Sequence, residues 1–185
     1  ISKATVFSPE KQEGICSICG AKQSRDNGSK LTATMKLNVT SIKLQKKQTT
    51  TKVKVTGLAN GDSVKSWISS NKKIVTVDKS GKIKAGKKTG NAKITVTLKS
   101  GKKAILKVKV QSTKVKTTKI TGLKTNFTLK KGKSLTLKPV VAPITSQEKV
   151  TYTTSNKKIA TVTKNGVVKA KKKGKVTITV KSGKV

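Results

Sequence analysis

Histidine is absent from this sequence, arginine occurs once (Arg25), cysteine twice, and aromatic side chains make up 2% of the 185 residues. Each shortage closes a class of function. Without histidine the commonest general base is gone. Acids number six, and Asp62, Asp78 and Glu148 are scattered without a common spacing, so no pair of carboxylates is set up for glycoside hydrolysis. Ser70 and Ser155 have no base beside them, and neither a glycine-rich phosphate loop nor a calcium loop of spaced acids is present. An enzyme is not expected. Base edges are read by arginine forks and single strands stack on aromatic rings, so sequence-specific nucleic-acid binding is not expected either. No run of about 18 apolar residues occurs, which leaves no membrane span to expect. No signal peptide is visible. The chain opens at Ile1-Ser2-Lys3 and stops within a strand pattern at Val185. It reads as a piece of a longer protein with targeting signals elsewhere.

What is present is lysine and repetition. Lys and Arg total 44 against the six acids, for a formal net charge of +38. Ser70–Ala85 (SNKKIVTVDKSGKIKA) returns as Ser155–Ala170 (SNKKIATVTKNGVVKA) at an offset of 85, with eleven of the sixteen positions identical. The shared Ser, Asn, Ile, Thr, Val, Gly and Ala cannot come from lysine bias. A unit has been used twice. The expected division is an N-terminal segment over 1–30, a first unit over 31–113 and a second over 114–185. Domains of that size bury only about 60% of their unfolded surface, so each core must be simple.

From Leu31 onward apolar residues alternate with polar ones. Strands are expected at Val39–Leu44, Lys52–Val55, Val64–Ile68, Ile74–Val77 and Lys82–Ala85. Two more follow, one carrying Ala92, Ile94, Val96 and Leu98 and one carrying Ala104, Leu106, Val108 and Val110. Gly57–Asp62, Lys79–Gly81 and Ser100–Lys102 read as turns. No helix is indicated, and short alternating strands point to a sandwich or barrel. The same alternation puts the lysines on a solvated face, where they also guard sheet edges. The second unit follows a linker, Gln111–Lys116. Phe127 and Leu129 align with Ile42 and Leu44. Leu135 and Leu137 align with Val53 and Val55 if the loop holding Gly132 is three residues shorter. Tyr152 aligns with Trp67, and Val176, Ile178 and Val180 align with Ala92, Ile94 and Val96. The counterpart of Ala104–Val110 falls past Val185, so the second sandwich is expected to lack its last strand.

The N-terminal segment has another character. Ala4–Phe7 reads as a short strand, Ser8-Pro9 and Glu13-Gly14 as turns, and Asp26–Ser29 as a loop. Cys16-Ser17-Ile18-Cys19-Gly20 supplies half of a zinc-ribbon site. Structural zinc takes four ligands, and no third cysteine or histidine exists here, so zinc at Cys16 and Cys19 requires a site shared with upstream residues. A local disulfide and two free thiols are the alternatives. A redox role needs a thioredoxin-like βαβ setting, which is missing. Trp67 and Tyr152 are candidate sugar-stacking platforms, but their place in alternating strands assigns them to the core.

Several motifs recur in order. The first unit shows Trp67-Ile68-Ser69-Ser70-Asn71, then Val77-Asp78-Lys79-Ser80-Gly81-Lys82-Ile83, then Gly90-Asn91-Ala92-Lys93-Ile94-Thr95-Val96. The second shows Leu129-Lys130-Lys131-Gly132, Pro139, Tyr152-Thr153-Thr154-Ser155-Asn156, Val162-Thr163-Lys164-Asn165-Gly166-Val167-Val168 and Gly174-Lys175-Val176-Thr177-Ile178-Thr179-Val180. Over Met35–Val185 this resembles the bacterial immunoglobulin-like domains of group 2 (Big2). Lys47 departs from the early turn glycine of that family, the first unit has no proline, and Tyr152 stands for its tryptophan. The resemblance implies an all-β fold, tandem immunoglobulin-like β-sandwiches behind a short β/loop segment. It implies non-catalytic stalks, spacers or adhesive modules of bacterial surface and secreted proteins, or of phage. Ala4-Thr5-Val6 with Cys16–Gly20 resembles a short cysteine-bearing repeat beside such domains in surface proteins of gut Firmicutes, with Val6 at its first cysteine position.

Three functions follow as expectations. One is an extracellular stalk or adhesion module. Another is a lysine-rich module that holds a larger protein to anionic cell-wall polymers or acidic glycans. The third is a structural part of an appendage or phage particle, in which neighbouring copies of the same protein are the partners.

Overall fold

Alternation of period two sends every second side chain to one face, and where that face meets another sheet it becomes a core. The computed structural model describes residues 2–185. Among these residues there is no helix, and none is long and apolar enough to cross a membrane. The chain forms two compact units, one ending at Ser112 and one spanning Thr113–Val185.

The first unit contains β1 (Glu10–Ile15), β2 (Lys22–Asn27), β3 (Lys36–Leu37), β4 (Ser41–Gln45), β5 (Thr49–Thr50), β6 (Val55–Thr56), β7 (Val64–Ser69), β8 (Val75–Val77), β9 (Ile83–Ala85), β10 (Gly90–Leu98) and β11 (Lys103–Gln111). One sheet has the order β4-β11-β10-β7, with β11 and β4 parallel and the other pairs antiparallel. A second sheet has the order β5-β9-β8, and β3 pairs with β6. Ile42, Leu44, Ile94, Val96, Leu98, Leu106, Val108 and Val110 from the first sheet are buried, as are Val75, Ile83 and Ala85 from the second. The lysines between them, such as Lys93, Lys107 and Lys109, are exposed.

Lys52–Val55 is not the strand that its sequence suggests. The Thr50 hydroxyl accepts the Lys52 N–H at 3.2 Å, a local bond that withdraws this donor from a ladder. The chain leaves β9 there and pairs again only at β6, with β3. Val53 is nevertheless buried.

The second unit contains β12 (Lys119–Thr121), β13 (Ser134–Thr136), β14 (Val140–Ala142), β15 (Val150–Thr154), β16 (Ala160–Val162), β17 (Val167–Ala170) and β18 (Ile178–Ser182). The order β13-β17-β16 repeats β5-β9-β8, and the β15-β18 pair repeats β7-β10. Register is preserved: Trp67 faces Val96 as Tyr152 faces Val180, and Val77 faces Ile83 as Val162 faces Val168. It also corrects one alignment. Leu135 faces Val168 as Thr50 faces Ile83, so Leu135 matches Thr50 and not Val53. The stretch 111–116 is not a plain linker either, since β11 runs to Gln111 and Val115 is buried in the second unit.

The N-terminal segment differs from its reading. Thr5 to Ser8 is a turn, not a strand, because the Thr5 hydroxyl accepts the Phe7 and Ser8 N–H groups at 3.1 and 3.0 Å. Glu13 and Gly14 lie inside β1, and the reversal comes later, at Cys16–Ala21. The segment is tied to the first unit by the Val6 N–H on the Asn60 carbonyl at 3.1 Å and the Leu31 N–H on the Thr5 carbonyl at 2.8 Å.

Candidate functional site

The polar residues that the two units share are spent on folding. Before β8 the Ser69 hydroxyl donates to the Val75 carbonyl at 2.7 Å, and Asn71 Oδ1 accepts the Lys73 N–H at 3.0 Å. Before β16 the Thr154 hydroxyl donates to the Ala160 carbonyl at 3.1 Å, and Asn156 Oδ1 accepts the Lys158 N–H at 2.9 Å. Ser70 Oγ accepts the Lys93 N–H at 2.9 Å, and Ser155 Oγ accepts the Thr177 N–H at 3.0 Å. The Ser69 and Thr154 bonds clip one sheet to the other, the Asn71 and Asn156 bonds close local Asx turns, and the Ser70 and Ser155 bonds extend the β7–β10 and β15–β18 ladders.

The aromatic pair has a related task. Trp67 and Tyr152 are half-buried. Each ring covers the glycine of the following turn: a Cβ on Gly81 would lie 2.9 Å from Trp67 Cζ2, and one on Gly166 would lie 2.8 Å from Tyr152 Cζ. Both glycines have positive φ, 81° and 78°, a region that other residues enter at a cost. The rings are packing elements rather than open platforms.

The three acids singled out in the sequence remain apart, each at a separate turn. Asp78 Oδ1 accepts the Ser80 N–H and hydroxyl and the Lys82 N–H at 2.9, 2.6 and 3.0 Å. The Ser80 hydroxyl and Lys82 N–H hold its carboxyl below the usual carboxylate range. Asp62 clasps Ser100, which lies 38 residues on, through the Ser100 hydroxyl at 2.6 Å and its N–H at 3.2 Å. Burial raises the Asp62 pKa, but the Ser100 bonds and the Ser63 N–H outweigh it and the net shift is downward. Glu148 accepts the Thr117 N–H at 2.6 Å.

Cys16 and Cys19 occupy the tip of the β1–β2 hairpin, whose last pair is Ile15 with Lys22. The Cys16 N–H donates to the Ala21 carbonyl, and the Gly20 N–H donates to the Cys16 carbonyl, both at 2.9 Å. Both thiols are free. The N–H groups of Cys19 and Ile18 and the Cys19 thiol are directed at the Cys16 sulfur and lower its pKa. Among the described residues no group of three or more His, Cys, Asp and Glu side chains is arranged to hold a metal. Cys16 and Cys19 are the two thiols at the tip.

The remaining chemistry is the lysine face. On the outer side of the four-stranded sheet Lys93 lies directly opposite Lys107, and Lys109 opposite Lys43. All four are exposed. Sequence reading found the alternation but not this opposition, because register between distant strands is not a local property.

The bacterial Ig-like domain (group 2) model matches residues 31–108 and again 114–185. The chain belongs to that family. Its Ig-like units also have partial likenesses among solved structures. Surface layer protein SbsC, domains 1–6, is 23% identical with a TM-score of 0.36, and the match covers 64% of this chain and 18% of that one. Human protocadherin-24 EC1-2 is 16% identical with a TM-score of 0.32, covering 75% and 77%. No curated protein matches the chain.

Within the Ig-like units, the departure at Lys47 has a structural counterpart. Lys47 keeps a left-handed backbone, φ 63°, and its partner at the repeat offset, Gly132, has φ 83°. The first unit holds a glycine conformation with a lysine.

Proposed function

We propose that this chain is a non-catalytic Ig-like stalk or adhesion module of a bacterial cell-surface or secreted protein. One observation carries the reading: the hydroxyls and amides kept at equivalent places in both units are consumed by the turns and ladder ends of the fold. Duplication has multiplied a scaffold. The family is one of generally non-catalytic Ig-like modules, which supports the same conclusion. Antibodies raised against the chain should label intact cells of the source bacterium, and labelling confined to permeabilised cells would overturn the surface reading.

A second reading has its own observation. Like charges directly opposite across strands are destabilising, and Lys93 with Lys107 is such an opposition. A bound polyanion relieves it. Anionic wall polymers or acidic glycans are the matching ligands, held by counterion release. Retention on immobilised wall polymer should fall steeply with salt. Salt-independent retention would refute the electrostatic mechanism.

A further inference from the structure

The lysine excess stops in the β1–β2 hairpin. Between Glu10 and Asn27 three acids, Glu10, Glu13 and Asp26, stand against three cations, Lys11, Lys22 and Arg25. The chain as a whole carries +38. Two copies of such a chain repel each other, and repulsion is weakest where the local charge is nil. The same hairpin carries the two most exposed large apolar side chains among the described residues, Ile18 at 95% and Ile15 at 71%. They flank and interleave the cysteines. A Cβ added at Gly14 or Gly20 would meet nothing within 4 Å, so the tip is uncovered by its own chain.

The geometry points to the hairpin tip as half of a metal site: Cys16 and Cys19 of one chain and the same two residues of a second copy bind one zinc ion and join the copies tip to tip. Two thiols separated by two residues are a recurrent structural zinc spacing, and a closed site takes four such ligands at about 2.3 Å. The Cys16–Ala21 reversal is already shaped for this. Cross-strand bonds fix both ends of the turn, and Gly20 adopts φ 71°, which lets the chain turn back. Ile15 and Ile18 form an apolar collar around the junction and would be covered when two tips meet.

The charge balance is simple. Four thiolates and one Zn²⁺ make a dianionic centre, and one proton leaves for each thiol protonated beforehand, so assembly weakens at low pH. No oxidant takes part. The two copies are related by a two-fold axis through the metal, the commonest arrangement for a pair.

The test uses the full chain, reduced and kept anaerobic, with Co²⁺ as a spectroscopic stand-in for Zn²⁺. Thiolate-to-cobalt charge-transfer bands and tetrahedral ligand-field bands should saturate at one metal per two chains. Light scattering should show the mass double in step. Zn²⁺ should bleach the bands and keep the dimer, and EDTA should restore the monomer. Cys16→Ser and Cys19→Ser should each remove bands and dimer, with the Trp67 fluorescence unfolding curve unchanged as a check on the fold. Ile18→Lys should weaken dimerisation at least tenfold while leaving the bands at high protein concentration. Saturation at one metal per chain with unchanged mass would overturn the proposal. So would an absence of thiolate bands, a dimer that survives EDTA or either serine variant, or an Ile18→Lys protein that dimerises as tightly as the parent.

Discussion

The two Ig-like units carry the same pattern and bury it differently. In the first, β10 is flanked by β7 on one side and β11 on the other, and Ile94 and Val96 are fully buried. In the second, β18 pairs with β15 alone among the described strands, and the equivalent Ile178 and Val180 are only half-buried. Ile42 and Leu44, which sit on β4 beside β11, are 4% and 0% exposed. Phe127, at the place of Ile42, is 38% exposed and belongs to no strand. One strand, β11, makes the difference, because it completes two ladders at once. Burial here is a property of pairing and not of the alternating pattern alone.

The largest change expected is from supplying that strand. In the turn after β18, Ser182 and Val185 exchange backbone hydrogen bonds at 2.8 and 3.2 Å. A copy of Lys103–Gln111 appended after Val185 therefore places its alanine opposite Val180 and its leucine opposite Ile178, as Ala104 faces Val96 and Leu106 faces Ile94. Finishing the burial of Phe127, Ile178 and Val180 should stabilise the second unit by about 3 kcal/mol, at roughly 1.5–3 kcal/mol per fully buried side chain. The chain contains one tryptophan and one tyrosine, Trp67 and Tyr152, so urea unfolding followed at each chromophore separates the two units. An unchanged tyrosine transition would break the comparison.

Next in size are matched core truncations. Ile94→Ala should cost the first unit about 2–5 kcal/mol, as buried Ile-to-Ala changes do. Ile178→Ala should cost the second unit less than half as much, since its side chain is half-buried. Equal losses in the two transitions would show that the exposure difference has no energetic weight.

Smaller still is the exchange at the early turn. Lys47→Gly should stabilise the first unit by about 0.5–1 kcal/mol, because a left-handed conformation strains a residue with a Cβ. Gly132→Lys should destabilise the second by a similar amount, read from the same two chromophores.

The smallest difference is in acid. Asp78 accepts the hydrogen bonds of the β8–β9 turn, while Thr163 is the acceptor at the equivalent place between β16 and β17, with its hydroxyl taking the Val167 N–H at 3.2 Å. The folded pKa values of Asp78 and Asp62 lie below their unfolded ones. Their stabilisation is therefore present above the unfolded carboxylate pKa, about 3.9, and is lost as pH falls through the folded value. Below about pH 4 the Trp67 transition should shift to lower urea, and Asp62→Asn with Asp78→Asn should flatten that dependence.

Most of this architecture is written in local sequence. β7, β10, β11 and the β8–β9 turn declare themselves by alternation, glycine and the Ser-Asn pair, because those signals act within a few residues. Other features depend on what lies across a ladder. Leu135 hides its match to Thr50 because a leucine and a threonine share no chemistry, and only the facing residues, Val168 and Ile83, reveal the equivalence. Phe127 and Leu129 read as strand, yet the partner that would make them strand is not beside them. The β1–β2 hairpin carries no alternation to read, since β2 is exposed along its whole length. Its cysteine spacing was visible, but its neutral charge and exposed Ile18 gain meaning only once the tip is seen to project freely.

The parallel pairing of β4 with β11 has a mechanical consequence. These strands lie near opposite ends of the first Ig-like unit in sequence, and five residue pairs, from Ser41 with Lys107 to Gln45 with Gln111, join them. Tension applied through the chain on either side pulls the two strands past each other along their length. The ladder then resists in shear, with all its bonds loaded together, rather than opening from one end like a zipper. Residues 126–130, at the place of β4, have no such ladder among the described residues. Under load the chain would lengthen in two steps, the second unit giving way at low force and the first holding as a stiff link.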